Sequence, residues 1–90
     1  MTELNIEVTH RFNPGLYDKK MVMREGNFAV THKHNFDHIS MLYSGIASVT
    51  IDGDTVILEG PDFVLIRADQ EHTILALSDI TWYCIHQTDV

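Results

Sequence analysis

The chain has 90 residues, a length that suits one compact domain and leaves no room for a second. Apolar residues make up 44% of it, which indicates a globular protein with a hydrophobic core rather than a disordered chain. Thirteen Asp and Glu against six Lys and Arg give a net charge of −7. This charge repels a polyanion, so nucleic acid is not an expected partner.

The cellular compartment is predicted from the signals and cysteines in the sequence. The amino terminus has no basic start followed by an apolar stretch, and no run of 18 apolar residues occurs. Cys84 is the only cysteine, so no internal disulfide can form. We therefore expect a cytoplasmic protein with no membrane partner.

The first segment, residues 1–25, is expected to form an arm with strand character. Leu4, Ile6 and Val8 alternate like one face of a half-buried strand, and Asn13-Pro14-Gly15 indicates a turn. An apolar strand lying outside a small barrel needs a partner surface, which the sheet edge of a second subunit would supply. The expected assembly is a homodimer.

From Phe28 onward, short segments rich in Val, Ile, Thr, Phe and Tyr are separated by turn residues every eight to twelve positions. This spacing predicts an all-β domain with little or no helix. The clearest hairpin joins residues 47–51 to 55–58 through Asp52-Gly53, because Asp-Gly adopts the positive φ angles of a tight reversal. Further strands are expected at 28–34, 38–43, 62–67, 72–77 and 80–86.

Four histidines are spaced to converge. His32 and His34 are two apart, so a strand presents both imidazoles on one face. His38 follows a short turn-forming segment that can direct a third ring to the same point, and His72 begins a later strand that barrel closure can bring alongside. A single strand histidine is more often a surface or hydrogen-bonded residue. Four buried imidazoles without a shared partner would nevertheless be costly.

Such a cluster favours a divalent transition metal, since imidazole nitrogen suits Mn, Fe, Co, Ni, Cu and Zn, whereas Ca and Mg prefer oxygen donors. Four neutral ligands leave the full charge on the ion, so bound water is acidified and an anionic substrate is attracted. An octahedral ion would keep two sites open.

These residues resemble the first motif of the cupin superfamily, G-x5-H-x-H-x3or4-E-x6-G. Gly26, His32, His34, His38 and Gly45 reproduce every spacing, with His38 at the position where the family usually has Glu. The site therefore resembles that of the minority of small cupins with four histidines.

The second cupin motif, G-x5-P-x-G-x2-H-x3-N, is matched more loosely. His72 is retained, but Pro61 replaces the first Gly, Arg67 the Pro, Asp69 the second Gly and Ala76 the Asn. Asp69 can still adopt a left-handed backbone. The resemblance implies a small jelly-roll barrel, 26–86 within a single domain 1–90, with the ion inside its mouth and commonly a dimer.

A substrate pocket is expected beside the metal. Trp82, Cys84 and His86 share one face of the last strand, and Ser40 and Leu42 share the face of His38. Phe28 and Val30 are assigned to the face of His32. Barrel packing explains Trp82 and Cys84 better than a direct substrate role does, while His86 is the candidate catalytic group, a neutral imidazole able to relay protons.

Cupins host many chemistries, so the fold does not select an activity. The leading interpretation is an oxidoreductase of dioxygenase type, with Mn or Fe preferred and Ni, Co, Cu or Zn as alternatives. One alternative is a non-catalytic module that binds a small carboxylate or sugar at the ion. Another is an isomerase or epimerase, for which His86 or a tyrosine would be the base. In each case the partner is a small molecule.

Overall fold

A computed structural model describes residues 6–31 and 37–88. In these ranges the protein is all-β, with nine strands and no helix. The strands are β1 Ile6–Asn13, β2 Leu16–Met23, β3 Phe28–Thr31, β4 His38–Ser44, β5 Ile46–Ile51, β6 Asp54–Glu59, β7 Asp62–Ile66, β8 His72–Ala76 and β9 Ile80–Gln87. From β4 on, they begin and end within two residues of the segments that the sequence predicts.

The strands form two antiparallel sheets. One has the order β1-β2-β9-β4-β7 and the other the order β3-β8-β5-β6. Apart from the hairpins β1–β2 and β5–β6, neighbouring strands are distant in sequence: β9 lies between β2 and β4, and β8 lies between β3 and β5. The expected all-β jelly-roll architecture is confirmed.

The hairpin between β5 and β6 shows why the turn residues determine the register. Asp52 and Gly53 adopt φ angles of 49° and 86°, so the reversal takes two residues and pairs Ile51 with Asp54. One step further along, the Thr50 and Thr55 hydroxyls are 2.7 Å apart across the strands. In the second motif, Asp69 has a φ of 64°, the left-handed backbone that the sequence allows there.

The core lies between the sheets, filled by alternate residues of the central strands. From the five-stranded sheet it takes Met21, Met23, Leu42, Ile80 and Trp82, and from the other sheet Ala29, Ala47, Val49, Ile74 and Ala76. All are almost completely buried. The same alternation directs His38 and Ser40 on β4 and His72 on β8 toward the interior.

The N-terminal segment joins the sheet of its own chain. β1 pairs with β2 along its whole length, and β2 pairs with β9, so this hairpin extends the five-stranded sheet. Ile6 packs against the core, whereas Val8 is 44% exposed, because β1 is the edge strand of that sheet. The division of the domain at residue 26 stays a prediction.

Candidate metal and ligand site

Two histidines meet in the interior from opposite sheets. His38, the first residue of β4, is paired with Ile66 of β7, and His72, the first residue of β8, is paired with Ile51 of β5. Their relative exposures are 5% and 1%. The ring centroids lie 5.9 Å apart, with the ring planes inclined at 46°. This end of the interior is therefore lined by imidazole, while its middle is apolar.

The pair fits a shared metal ion in spacing and donor type. Imidazole nitrogens bind first-row ions at about 2 Å, which puts each ring centre about 3 Å from the ion and two ring centres up to about 6 Å apart. Within residues 6–31 and 37–88, no group of three or more His, Cys, Asp or Glu side chains is arranged to hold a metal. A metal centre here thus depends on further donors from residues 32–36, which lie outside the described residues together with the predicted ligands His32 and His34.

The two ends of that segment are fixed near the histidine pair. Thr31, the last residue of β3, is paired through its main chain with His72. At the other end Asp37 precedes His38, and the Asp37 carboxylate accepts a hydrogen bond of 2.7 Å from the main-chain N–H of Ala68. The described chain therefore stops at Thr31, next to His72, and resumes at Asp37, next to His38.

His86 lies at the same end of the five-stranded sheet. Ile39 of β4 is paired with Ile85 of β9, which brings the adjoining residues His38 and His86 to the same end of these two strands. His86 is half-buried, its Nδ1 lies 3.0 Å from the carbonyl oxygen of Gln87, and its ring centroid is 4.8 Å from that of Tyr17. Because a carbonyl can only accept, Nδ1 carries the proton in this contact.

The family is decided by comparison with known sequences. Residues 24–88 match the family described as AraC-like ligand binding domain, which is most of the chain. The chain belongs to this family. No curated protein has a significant match to the sequence.

Solved structures agree with this assignment. A cupin superfamily protein from Desulfitobacterium hafniense superimposes with a TM-score of 0.83 at 15% identity, covering 99% of this chain and 83% of that one. KdgF from a Halomonas species gives 0.82 at 18% identity, covering 97% and 83%. Salicylate 1,2-dioxygenase from Pseudoaminobacter salicylatoxidans, in adducts with gentisate, gives 0.84 at 15% identity, covering 94% of this chain but 25% of that one. At these identities the likeness to the solved structures is one of fold. Together with the family match over residues 24–88, it confirms the expected cupin superfamily.

A further finding concerns the membrane. None of the described residues of this cupin lies in a helix that could span a bilayer.

Four of the expected pocket residues of this cupin share the inner face of the five-stranded sheet. Ser40, Leu42 and Trp82 are fully buried, and Cys84 is half-buried. Leu42 and Trp82 belong to the packed core, whereas the Ser40 hydroxyl donates to the Cys84 Sγ at 3.7 Å. Ser40 and Cys84 therefore form the polar boundary between the core and the histidine end.

Phe28 and Val30 take a different place from the one expected. Ala29, between them on β3, is 4% exposed and packs in the core, so strand alternation puts its two neighbours on the outer face. Phe28 is half-buried and Val30 is 38% exposed. Both were expected to share a strand face with His32. His32 itself lies outside the described residues.

Sequence reasoning missed Tyr17 and Lys19 of β2. Tyr17 is paired with His86, and Lys19 with Cys84, so both share the inner face with Met21 and Met23. Burial, the Cys84 thiol and the Asp18 carboxylate, in that order, raise the pKa of the Tyr17 phenol above its ordinary value. The alternation Tyr17, Lys19, Met21, Met23 was the available signal, obscured by the charged residues between them.

Proposed function

We propose that this cupin binds one divalent transition-metal ion with His32, His34, His38 and His72, and that it oxidises a small molecule in the manner of a dioxygenase. The observation that carries the proposal is the His38–His72 pair. Two almost fully buried imidazoles face each other from opposite sheets at a spacing that one ion can bridge. Burying such groups together is favourable when they share a ligand.

The course of the chain supports the remaining two donors. Residues 32–36 connect Thr31, paired with His72, to Asp37, which directly precedes His38. Both ends of this short segment lie at the pair, which supports the proposal of His32 and His34 as the further donors.

Four imidazoles would hold the ion without a protein anion. When bound, the ion supplies positive charge, exchangeable coordination positions and, for the preferred Mn or Fe, a redox couple; Ni, Co, Cu and Zn are the alternatives. The residues of the chain act around it. Leu42 and Trp82 exclude water from the interior, and His86, adjacent to His38 at the end of the sheet, accepts or returns a proton through its ring.

An oxygen-uptake assay tests the activity. The Fe-loaded and Mn-loaded protein is offered enols, catechols, thiols and alkenes, and oxygen consumption is followed with an electrode. We expect uptake with one of these classes, and its loss in His72→Ala with the fold retained by circular dichroism. Absence of turnover in protein shown to contain stoichiometric metal would remove the enzymatic proposal.

A second candidate is ligand binding without turnover, and the description of the family as a ligand binding domain favours it. A small anion such as a carboxylate or sugar acid would then bind the ion unchanged. It would raise the melting temperature and be recovered intact by mass spectrometry. Recovery of an oxidised product would decide for the enzyme.

We further propose that the protein acts in the cytoplasm as a homodimer with a small-molecule partner and with neither nucleic acid nor membrane. The net charge of −7 supports the exclusion of nucleic acid. The exposed apolar side chains on the sheets support self-association.

A further inference from the structure

The hairpin of β1 and β2 presents an aromatic surface next to the histidine end of the interior. Phe12 is paired with Tyr17, and Tyr17 with His86, so three rings stand in one row across the inner face of the sheet. The Phe12 and Tyr17 centroids are 5.0 Å apart, and those of Tyr17 and His86 are 4.8 Å apart. We call this row, with His10 stacked on Tyr17, the aromatic shelf.

The shelf is not part of the packed core. Phe12 is 76% exposed although it points to the same side of the sheet as Met21 and Trp82, which are buried. The inner face is thus covered along the middle of the sheet and uncovered toward the tip of the hairpin. A large apolar ring exposed beside polar and aromatic side chains is a candidate contact surface for a ligand.

One cationic side chain, that of Lys19, lies beside the rings. Lys19 is paired with His10 on one side and Cys84 on the other, in the row next to that of Phe12, Tyr17 and His86, and it is half-buried. In the described ranges the ion pairs join Arg11 to Asp18 and Arg24 to Asp79, and Lys19 takes part in neither.

The carboxylates of the hairpin lie on the other side of the sheet. Strand alternation puts Glu7 and Asp18 on the outer face, and the inner-facing positions of β1, β2, β9 and β4 carry no Asp or Glu. In a chain with a net charge of −7, this part of the inner face therefore carries the Lys19 ammonium and no carboxylate on the same four strands.

The phenol of Tyr17 completes the site as a hydrogen-bonding group. Its hydroxyl is bonded to Nδ1 of His10. Burial and the neighbouring Cys84 and Asp18 keep the pKa of this phenol raised, so it stays neutral at physiological pH and adds no negative charge beside Lys19.

We propose that the aromatic shelf and Lys19 bind a planar aromatic carboxylate, with its ring against Phe12, Tyr17 and His86 and its carboxylate on the Lys19 ammonium. Stacking on the rings selects a flat apolar body, and the unpaired lysine selects an anion. This names the ligand class for the function proposed above, and it rests on that proposal for its relation to the metal site. The binding itself comes from side chains of the hairpin and β9.

Benzoate is the probe, and acetate and benzyl alcohol separate the carboxylate from the ring. Each is titrated into the full chain in excess EDTA, and ring-proton NMR shifts report the dissociation constant. We expect benzoate to bind at least tenfold more tightly than either control, with the largest shifts on Phe12 and Tyr17. A charge-assisted hydrogen bond of this kind corresponds to a factor of about ten.

Lys19 and Lys20 provide a matched pair of variants, because they are adjacent on β2 and point to opposite faces. Lys19→Gln should weaken benzoate about tenfold and leave benzyl alcohol unchanged, while Lys20→Gln should change neither. Equal effects of the two variants, or no benzoate binding by the wild type, would overturn the proposal. So would a wild-type dimer that Phe12→Ala converts to a monomer, since the occupant of the shelf would then be a second copy.

The benzoate titration also distinguishes failure of the shelf proposal from failure of the metal proposal. Benzoate that binds only after zinc is restored would be a metal ligand, which refutes the shelf and supports the metal centre. Benzoate bound in EDTA by a protein that takes up no metal would support the shelf and refute the metal centre.

Discussion

At the scale of single residues, the chemistry of this cupin is concentrated in groups that alternation turns inward. His38 and His72 are buried where a strand of each sheet begins, and Tyr17, Lys19 and His86 share the inner face of the five-stranded sheet with His38. Charged residues of the same strands, such as Asp18 and Lys20, point outward. The alternation of side chains along each strand thus puts the candidate site on the inner face and these charged residues on the solvent-exposed face.

Tyr17 gives a prediction at high pH. Its raised pKa means that the unfolded chain releases the phenolic proton first, so this group lowers stability as pH rises above 10.0 and has no effect below it. A spectrophotometric titration should show one phenol ionising above the ordinary range, and Tyr17→Phe should remove that phase. Identical titration curves for both proteins would contradict the assignment.

Metal binding should depend on pH in the acidic range. Imidazoles must be neutral to coordinate, so metal content is expected to fall as pH drops below roughly 6. Equilibrium dialysis of the protein against buffers from about pH 8 to pH 5, followed by elemental analysis, measures this directly. A metal content that is constant over this range would contradict histidine ligation.

At the scale of elements, the strands from β4 on could be predicted because apolar alternation and turn residues coincide there. Asp52-Gly53 determines the β5–β6 hairpin, and Asp69 has the left-handed backbone that replaces a motif glycine. The strand β2 could not be predicted, since Asp18, Lys19 and Lys20 mask its apolar face. The face of β3 could not be predicted either, because one residue of register decides whether Ala29 or Phe28 turns inward.

The predicted metal ligands show the same limit of sequence reasoning at the candidate site. The sequence identified His38 and His72 as members of one group, and the structure brings their rings to 5.9 Å. Tyr17 and His10, which contact each other and of which Tyr17 contacts His86, escaped sequence reasoning because neither belongs to a motif. Their proximity arises from the pairing of β1 with β2 and of β2 with β9, a non-local contact.

Two turn glycines give a matched test of the fold. Gly45 and Gly53 both have positive φ, at 93° and 86°, but a Cβ at Gly45 would collide with the main-chain oxygen of Asp79, whereas one at Gly53 meets open space. Gly53→Ala should cost about 1–2 kcal/mol for the left-handed backbone alone. Gly45→Ala should cost clearly more by urea denaturation, and equal costs would contradict the packing of that turn.

At the scale of the whole molecule, the outer face of the five-stranded sheet is unusually apolar. Ile39, Tyr43, Phe63 and Leu65 on the neighbouring strands β4 and β7 are between 48% and 66% exposed. Exposed apolar surface of this kind marks interaction sites. It adds a second candidate interface for the homodimer to the edge of β1.

Light scattering at micromolar concentration should give the mass of a dimer. Phe63→Glu should reduce it to a monomer by placing a charge in the outer face. Ile57→Glu is the control, since Ile57 on the other sheet is 69% exposed against 66% for Phe63. A monomeric wild type would refute the dimer, and a dimer unaffected by Phe63→Glu would leave the edge of β1 as the interface.

The proposed function depends on an ion held by histidines, and the metal content of the protein purified without added metal or a histidine tag tests it most directly. We predict about one Mn or Fe, or another first-row ion, per chain. The ion should be lost in His38→Ala and His72→Ala and retained in His10→Ala, with circular dichroism confirming that each variant folds. A wild-type protein that contains no metal and takes up none, or histidine variants that keep it, would contradict the account.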